Sequence, residues 1–243
     1  MANKYFQFKQ FTIHQDNCAM KVCTDACLFG ALVASSQVST GYQTQTANCL
    51  DIGAGTGLLS LMYAQRNPFA VIDAVEIHPA AALQAKQNFE ASNWKDRLHI
   101  INADINVLDI EKKYHLIICN PPFFEDDLRS GDEAKNAAKH DASLTLQELV
   151  KVVSERLTIN GSFAVLLPQR RVNYFENEAL QQGLHATRKI SVRQTPEHDL
   201  FRVIMFFSKG RAEQVTTEMS IRRTDGGYTA DFIELLKDYY LHL

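Results

Sequence analysis

One stretch of the sequence decides the fold: Cys49-Leu-Asp-Ile-Gly-Ala-Gly-Thr-Gly57, which is followed by an apolar run from Leu58. Residues 49–52 have the character of a buried strand, and residues 58–65 have the spacing of a helix. Between them, Gly53, Gly55 and Gly57 let the backbone approach a ligand closely and leave the N–H groups that open the helix pointing outwards. The stretch therefore predicts a strand, a ligand-binding turn and a helix.

The same strand–turn–helix pattern repeats along the rest of the chain. Strands are predicted at residues 70–77, 98–101, 114–119, 161–167, 184–194, 200–208 and 215–221. Helices are predicted at residues 79–92, 143–157, 171–181 and 230–240. This alternation predicts an α/β fold with a mostly parallel, doubly wound sheet and helices on both faces. The two adjacent late strands, around Pro196, predict an antiparallel edge strand.

The N-terminal residues precede this pattern. Residues 4–14 alternate apolar and polar side chains, which predicts one or two half-buried strands, and an apolar helix follows at residues 26–34. Thr24 or Asp25 is a natural N-cap for that helix. Alternatively, Lys21, Thr24 and Asp25 line a cofactor pocket. We predict a single domain (1–243) in which an N-terminal strand and helix extension (1–45) packs on the core (46–243).

Composition limits the class of protein. The 243 residues include no apolar run near the ~18 residues of a membrane helix, and the N-terminus lacks a signal-peptide core, so we predict a cytoplasmic protein. The five cysteines form no C-x-x-C pair, which argues against a zinc site. A net charge of −3 argues against a general polyanion binder but allows a local basic face. Candidates for that face are Arg170, Arg171, Arg188, Lys189, Arg193, Arg222 and Arg223.

Three acidic residues stand at the ends of three successive predicted strands. Asp51 directly precedes the glycine turn, where a carboxylate repels pyrophosphate but suits a cationic ligand, and the glycine spacing departs from the dinucleotide fingerprint. Glu76 stands near the ~20-residue offset of a ribose-binding acid. Asp104 follows the next strand and is placed to accept a hydrogen bond from an adenine amino group. The sequence therefore predicts a nucleoside that carries an amino acid and a sulfonium.

A proline corner, Asn120-Pro-Pro-Phe123, ends the strand at residues 114–119. Prolines cannot donate ladder hydrogen bonds and bias the preceding residue away from helix, so the chain leaves the strand in a stiff turn. The Asn120 amide oxygen and the Pro121 carbonyl can accept both hydrogens of a planar –NH2 group, while Phe123 stacks on its ring. The corner predicts methylation of an exocyclic amine.

These motifs resemble those of the class I S-adenosylmethionine-dependent methyltransferases that methylate amines. Narrower matches, Phe8-Lys-Gln-Phe-Thr, Ala19-Met-Lys-Val-x-Thr-Asp25 and Leu58-Leu-x-Leu-Met-x-Ala-Gln-Arg66, resemble the tRNA1(Val) adenine-N6 methyltransferase family over nearly the whole chain. The resemblance implies a seven-stranded Rossmann-like domain that methylates adenine-37, beside the anticodon of a tRNA. S-adenosyl-L-methionine is the implied donor, and we expect a monomer that needs no metal and no membrane.

The resemblance also assigns roles to residues. Catalysis falls to Asn120, Pro121, Pro122 and Phe123. Donor binding falls to Lys21, Thr24, Asp25, Asp51, Gly53, Gly55, Gly57, Glu76, Ile77, Asp104 and Asn120. Phe123 departs from the family pattern, since many adenine-N6 enzymes have Tyr there and guanine-N2 enzymes can have Phe. The alternatives are guanine-N2 methylation of rRNA, glutamine-N5 methylation of a protein, adenine methylation of DNA and a donor-binding RNA chaperone without catalysis.

Overall fold

The computed structural model describes residues 3–16, 18, 20–36, 47–108, 111–121 and 144–243. The strands in these ranges are β1 (Tyr5–Gln7), β2 (Thr12–His14), β3 (Ala47–Ile52), β4 (Ala70–Glu76), β5 (Leu98–Asn102), β6 (Tyr114–Cys119), β7 (Leu157–Pro168), β8 (His185–Arg193), β9 (Leu200–Ser208) and β10 (Val215–Ser220). The α-helices there are α1 (Thr24–Ser35), α2 (Leu58–Arg66), α3 (Pro79–Glu90), α4 (Leu146–Arg156), α5 (Val172–Gln181) and α6 (Ala230–Leu236).

Eight of these strands form one sheet in the order β10-β8-β9-β7-β6-β3-β4-β5. β9 runs antiparallel to both of its neighbours, and all other neighbours are parallel. The mostly parallel α/β sheet is thus confirmed. The sheet of seven strands that the resemblance implied is wrong, because β10 adds an eighth strand in parallel beside β8. The predicted antiparallel strand is β9, and β8 and β10 lie between it and the edge of the sheet.

Helices cover both faces of this sheet, as predicted. The core on one face contains buried residues of α1, α2, α3 and α6, and the core on the other contains those of α4 and α5. On the second face the rings of Phe163, Phe175 and Phe207 lie with centroids 5.6–6.1 Å apart. In the described ranges, we find no helix long and apolar enough to traverse a lipid bilayer.

The N-terminal hairpin packs on the first face. β1 and β2 pair in antiparallel fashion, with Tyr5 opposite His14. In the turn between β1 and β2, the Lys9 N–H donates to the Tyr239 carbonyl near the C-terminus, at 2.8 Å. The backbone of His14 is also hydrogen-bonded to Asn88 of α3. These contacts support our proposal of a single domain, in which residues 1–45 pack on residues 46–243.

Helix ends follow the predicted signals with one correction. Thr145 and Glu148 form the predicted capping box of α4, and Pro79 is the first residue of α3. The predicted cap of α1 is wrong: the helix already begins at Thr24, and no side chain caps it. Asp25 therefore lies inside the first turn, where its charge interacts favourably with the helix dipole.

Candidate active site

Four neighbouring strands end at one level along the carboxyl edge of the sheet. The register pairs the last residue of β3 with the residues just before Glu76 and Asn120, and it pairs Glu76 with Asn102. Gly53, the first residue after β3, therefore lies between Glu76 and Asn120. Since adjacent strands are ~4.8 Å apart, the backbones of Glu76 and Asn120 lie at about twice that spacing. The register brings the predicted donor and target sites to one short stretch of edge.

The relevant side chains also point to one face. Residues alternate between faces along a strand, and Ala74 of β4 and Ile118 of β6 pack in the core under α1 and α2. Continuing that alternation by two residues places Glu76 and Asn120 on the same face. Asp51 of β3 lies there too, because its carboxylate is hydrogen-bonded to α2.

The three glycines of the turn are required for two different reasons. All have left-handed backbone, with φ of +71° at Gly53, +56° at Gly55 and +82° at Gly57. A Cβ added at Gly53 or Gly55 would meet no atom of the described residues within 4 Å, so the turn faces open space there. A Cβ at Gly57 would lie 2.3 Å from Cε1 of Phe89. The first two glycines leave room for a ligand, and the third is packed against α3.

Glu76 joins the glycine turn to the neighbouring loop. Its side chain is nearly buried, at 6% exposure. Oε2 accepts from the Gly55 N–H at 2.9 Å, and Oε1 accepts from the His78 N–H at 2.9 Å. Each carboxylate oxygen has a second lone pair, so each can accept one hydroxyl of a ribose as well. The acid is thus held in place by backbone before any ligand binds.

The next strand end continues this edge. Asn102 donates from Nδ2 to the carbonyls of Glu76 and Ile77, at 2.8 and 3.1 Å. Ile77 leaves 40% of its surface exposed, which provides an apolar contact for a flat ring. Asp104 accepts from the Asn106 N–H through Oδ1 at 2.9 Å, and its other oxygen receives no hydrogen bond from the described residues. The arrangement suits an adenine bound over Ile77 with its amine towards Asp104.

Asp51 lies beneath the glycine turn. Its carboxylate is completely buried, and Oδ2 accepts from the Ser60 hydroxyl at 2.7 Å. Oδ1 has no hydrogen-bond partner among the described residues. Burial raises the pKa of Asp51 to about 6, although the Ser60 hydrogen bond lowers it. In the structure Asp51 thus joins β3 to α2 on either side of the turn, and its direct contact with a donor stays a prediction.

The three N-terminal candidates lie apart from Glu76. Asp25 accepts through Oδ2 from Nε of Arg202 at 2.9 Å, and Arg202 pairs with the last residue of β7. This places the ion pair at the same edge but on the far side of β6 from β3. Lys21 donates to the Asn3 carbonyl at 3.4 Å on the exposed surface. The donor contacts assigned to Lys21, Thr24 and Asp25 stay predictions.

The target corner is described only in part. Asn120 has a buried Oδ1 without a hydrogen-bond partner among the described residues, and Pro121 is buried behind it. A buried acceptor left unpaired costs about 1–3 kcal/mol, so this oxygen is suited to receive a donor from a ligand. Pro122 and Phe123 lie outside the described residues, and their roles stay predictions.

Sequence reasoning missed the side chains that hold the turn from below. Asn88, 1% exposed, donates from Nδ2 to the Thr56 carbonyl at 2.9 Å and to the His14 carbonyl at 3.0 Å. A signal was available: Ala81, Ala85 and Asn88 have the i, i+4, i+7 spacing of a buried helix face. A polar residue at such a position needs buried hydrogen-bond partners. The roles of Ser60, Phe89 and Asn102 were also missed.

Metal ligands are not gathered in the described ranges. The structure brings no three His, Cys, Asp or Glu side chains together there in a way that could bind a metal ion. The site instead consists of left-handed glycines, a backbone-held carboxylate, an exposed isoleucine and an unpaired amide oxygen.

Comparison with protein families gives a consistent result. The family described as methyltransferase small domain matches residues 30–195. A protein of Dyadobacter fermentans named tRNA1(Val) (adenine(37)-N6)-methyltransferase is 41% identical over 98% of both chains. Proteins with the same name from Cytophaga hutchinsonii and Bacteroides thetaiotaomicron are 42% and 38% identical, each over 100% of both chains.

Solved structures share the fold at low identity. A crystal structure described as a predicted O-methyltransferase from Agrobacterium tumefaciens has a TM-score of 0.64 at 17% identity, and covers 88% of this chain and 96% of its own. An S-adenosylmethionine-dependent methyltransferase from Clostridium acetobutylicum has a TM-score of 0.53 at 14% identity, covering 79% and 94%. These similarities show a class I methyltransferase fold.

Proposed function

Because the chain belongs to the tRNA1(Val) (adenine(37)-N6)-methyltransferase family, within the methyltransferase small domain group, we propose that it methylates N6 of adenine-37 in the anticodon loop of that tRNA. Relatives with this name match it from end to end. We also propose that the enzyme is a monomer, needs no metal ion and does not act at a membrane. S-adenosyl-L-methionine is the proposed methyl donor.

We call the ends of β3, β4 and β5 the donor half of the edge. Its residues fit S-adenosyl-L-methionine. Gly53 and Gly55 leave open space above the turn, which a side chain would fill. Both oxygens of Glu76 keep a lone pair for the ribose hydroxyls, and Ile77 and Asp104 would hold the adenine by contact and by hydrogen bond. When bound, the donor supplies an electrophilic methyl group on a positively charged sulfur.

The proline corner would activate the target amine. The lone pair of an exocyclic nitrogen is conjugated into the ring, so the nitrogen is a poor nucleophile. Asn120 Oδ1 and the Pro121 carbonyl would accept its two hydrogens, which favours a pyramidal nitrogen with its lone pair directed out of the ring plane. The nitrogen gains positive charge as it reacts, so both acceptors bind it more tightly in the transition state. No strong general base is required, because the proton is acidic after transfer.

A single observation carries the proposal. Asn120 Oδ1 is buried and lacks a partner among the described residues, and it stands level with Glu76 on the same face of the sheet. An unpaired acceptor at that place is costly unless a ligand supplies a donor. The Phe123 stack on the target base, which is part of the proposal, is expected to contribute about 1–3 kcal/mol.

The test is mass spectrometry of nucleosides from tRNA and rRNA of cells with and without the gene, with the gene restored as wild type or as Asn120→Ala. We expect N6-methyladenosine in tRNA1(Val) to disappear on deletion and to return only with the wild-type chain. Loss of N2-methylguanosine from rRNA instead would replace the proposal with the guanine-N2 alternative. No change in any RNA nucleoside would refute both.

A further inference from the structure

A turn after β10 projects from the same edge as the proposed active site. The pairing of β10 with β8 continues past its last residue: the Ile221 N–H donates to the Arg193 carbonyl at 3.0 Å, and the Arg222 N–H donates to the Gln194 carbonyl at 2.9 Å. Both strands run towards the carboxyl edge. Four strand spacings of ~4.8 Å separate β10 from β6, so the turn lies roughly 20 Å from the proline corner.

Three planar groups stack outwards from the core at this turn. Phe232 of α6 is fully buried, and the ring of Tyr228 stacks on it with centroids 4.5 Å apart at 15°. The guanidinium of Arg222 lies over the Tyr228 ring at 4.3 Å from its centroid. Nη1 of Arg222 also donates to the Gly226 carbonyl at 2.6 Å, which fixes the side chain in this position. The series ends in the guanidinium of Arg222, a half-buried residue.

Arg222 differs from three of the basic candidates that the sequence suggested, which form ion pairs, and it lies closer to its ring than Arg188, which is 5.8 Å from the centroid of Phe206. Arg223 pairs with Asp225 at 2.9 Å, Arg193 with Glu218 at 3.4 Å, and Lys189 with Glu176 at 3.4 Å. Within the described ranges, Arg222 contacts an aromatic ring and a carbonyl but forms no ion pair with a carboxylate. No carboxylate in these ranges therefore neutralises its charge, and its side chain is already held in place over the Tyr228 ring.

We propose that the outer face of the Arg222 guanidinium stacks on an unpaired base of the RNA substrate. Single-stranded bases in RNA loops stack on arginine planes as well as on aromatic rings, and a pre-oriented arginine loses little side-chain freedom on binding. The turn and Asn120 are several nucleotides apart along an RNA chain. The base that stacks on Arg222 therefore differs from the base that is methylated. The inference rests on the proposed RNA substrate and adds a second contact that selects a loop nucleotide away from the target.

The first test compares variants in binding to an unmodified tRNA1(Val) transcript, with S-adenosylhomocysteine affinity and thermal unfolding measured in parallel. Arg222→Lys keeps the charge but removes the plane. We expect it to weaken RNA binding about tenfold, the order of one lost stacking contact, without a change in donor affinity. Arg211→Gln, on the exposed loop after β9 at the opposite edge, removes one positive charge and should leave RNA binding within about twofold.

Wild-type affinity of Arg222→Lys would overturn the proposal in favour of a simple charge contact. Tyr228→Phe preserves the supporting ring and should bind as wild type, whereas Tyr228→Leu should weaken binding with Arg222 still present. A transcript series with one abasic nucleotide at a time then locates the base: at one position the Arg222→Lys defect should vanish. If no position shows this coupling, the stacking contact is refuted. A wild-type chain that methylates no RNA would instead refute the proposed function itself.

Discussion

The two halves of the carboxyl edge are built in contrasting ways. On the donor half, formed by the ends of β3, β4 and β5, the polar groups are tied to backbone: both oxygens of Glu76 and the amide of Asn102 are bonded within the loops. On the substrate half, from β6 to β10, Asn120 presents an unpaired oxygen and Arg222 an unneutralised cation. The backbone thus fixes the main polar groups of the donor half before binding, although Asp51 and Asp104 each keep one oxygen without a partner among the described residues, whereas the substrate half leaves its main contacts for the ligand to satisfy.

The difference fits what each half is proposed to bind. A small donor of constant structure is best held by a site whose groups need no rearrangement, since ordering side chains on binding lowers affinity. RNA brings its own hydrogen-bond donors and flat surfaces, which complete the groups left open. Substitutions on the donor half should therefore affect stability together with donor binding. Substitutions on the substrate half should affect turnover or RNA binding alone.

The largest effect is expected at Asn120, where the two halves meet. Asn120→Ala removes an acceptor that is oriented before the target amine arrives, and loss of one such group lowers turnover by about 10²–10³. Donor affinity should remain within about threefold of wild type. Single-turnover methylation of tRNA and calorimetry with S-adenosylhomocysteine check both values.

Asn106→Ala is the matched control for this variant, since Asn106 is exposed near the same edge and only its backbone N–H is bonded to Asp104. Its turnover should stay close to that of the wild type. Equal turnover of Asn120→Ala and the wild type would contradict the mechanism proposed for the corner.

The glycines of the turn offer the next largest effect and a comparison within the donor half. Gly57→Ala adds a Cβ 2.3 Å from a Phe89 carbon in left-handed backbone, so we expect a stability loss of about 3 kcal/mol. Gly55→Ala has the backbone strain but points into open space, so it should lose about 1 kcal/mol and bind the donor about tenfold more weakly. Denaturant unfolding and calorimetry separate the two, and equal stability losses would contradict the distinction.

Asp51 should make the stability of the donor half depend on pH. Burial raises its pKa from 3.8 to about 6 in the folded chain, so the folded state holds the proton more tightly than the unfolded state. Stability from this group is greatest below about pH 4 and falls as pH rises towards 6. Between pH 4 and 7, the wild type should thus lose about 2–3 kcal/mol of unfolding free energy relative to Asp51→Asn. A difference independent of pH would contradict the raised pKa.

Local patterns predicted much of the fold and the chemically active residues. Strand alternation, the capping box at Thr145 and the glycine turn are encoded by neighbours in sequence, and they were recognised. A strand was predicted at residues 215–221, but the resemblance implied a sheet of seven strands, and only tertiary pairing shows that residues 215–220 lie beside β8 as the eighth. The supports of the site were missed for the same reason: Asn88 meets Thr56 and His14, which are distant in sequence. Such contacts carry no local signal beyond a polar residue at a buried spacing.

Asn88 provides the smallest expected effect and tests how the donor half is supported. Its amide accepts from the His14 N–H and donates to the carbonyls of His14 and Thr56, so one side chain joins the N-terminal hairpin to the glycine turn. Asn88→Leu keeps the side-chain volume but leaves these backbone groups without hydrogen-bond partners. Local rearrangement of the backbone is expected to offset part of that cost. We expect a stability loss of about 1–2 kcal/mol and a weaker donor affinity, with little change in turnover at saturating donor.

Gln84→Leu is the matched control, since Gln84 is equally buried on α3 but its amide donates only to Gln87 of the same helix. Its loss of stability should be smaller than that of Asn88→Leu, and its donor affinity should equal that of the wild type. A merely structural role for Asn88 would lower stability in both variants without moving donor affinity in either. Weaker S-adenosylhomocysteine binding by Asn88→Leu alone, measured well below its unfolding temperature, would instead show that the hairpin positions the turn. Thr56 lies between Gly55, which we propose contacts the donor, and Gly57, which packs against α3.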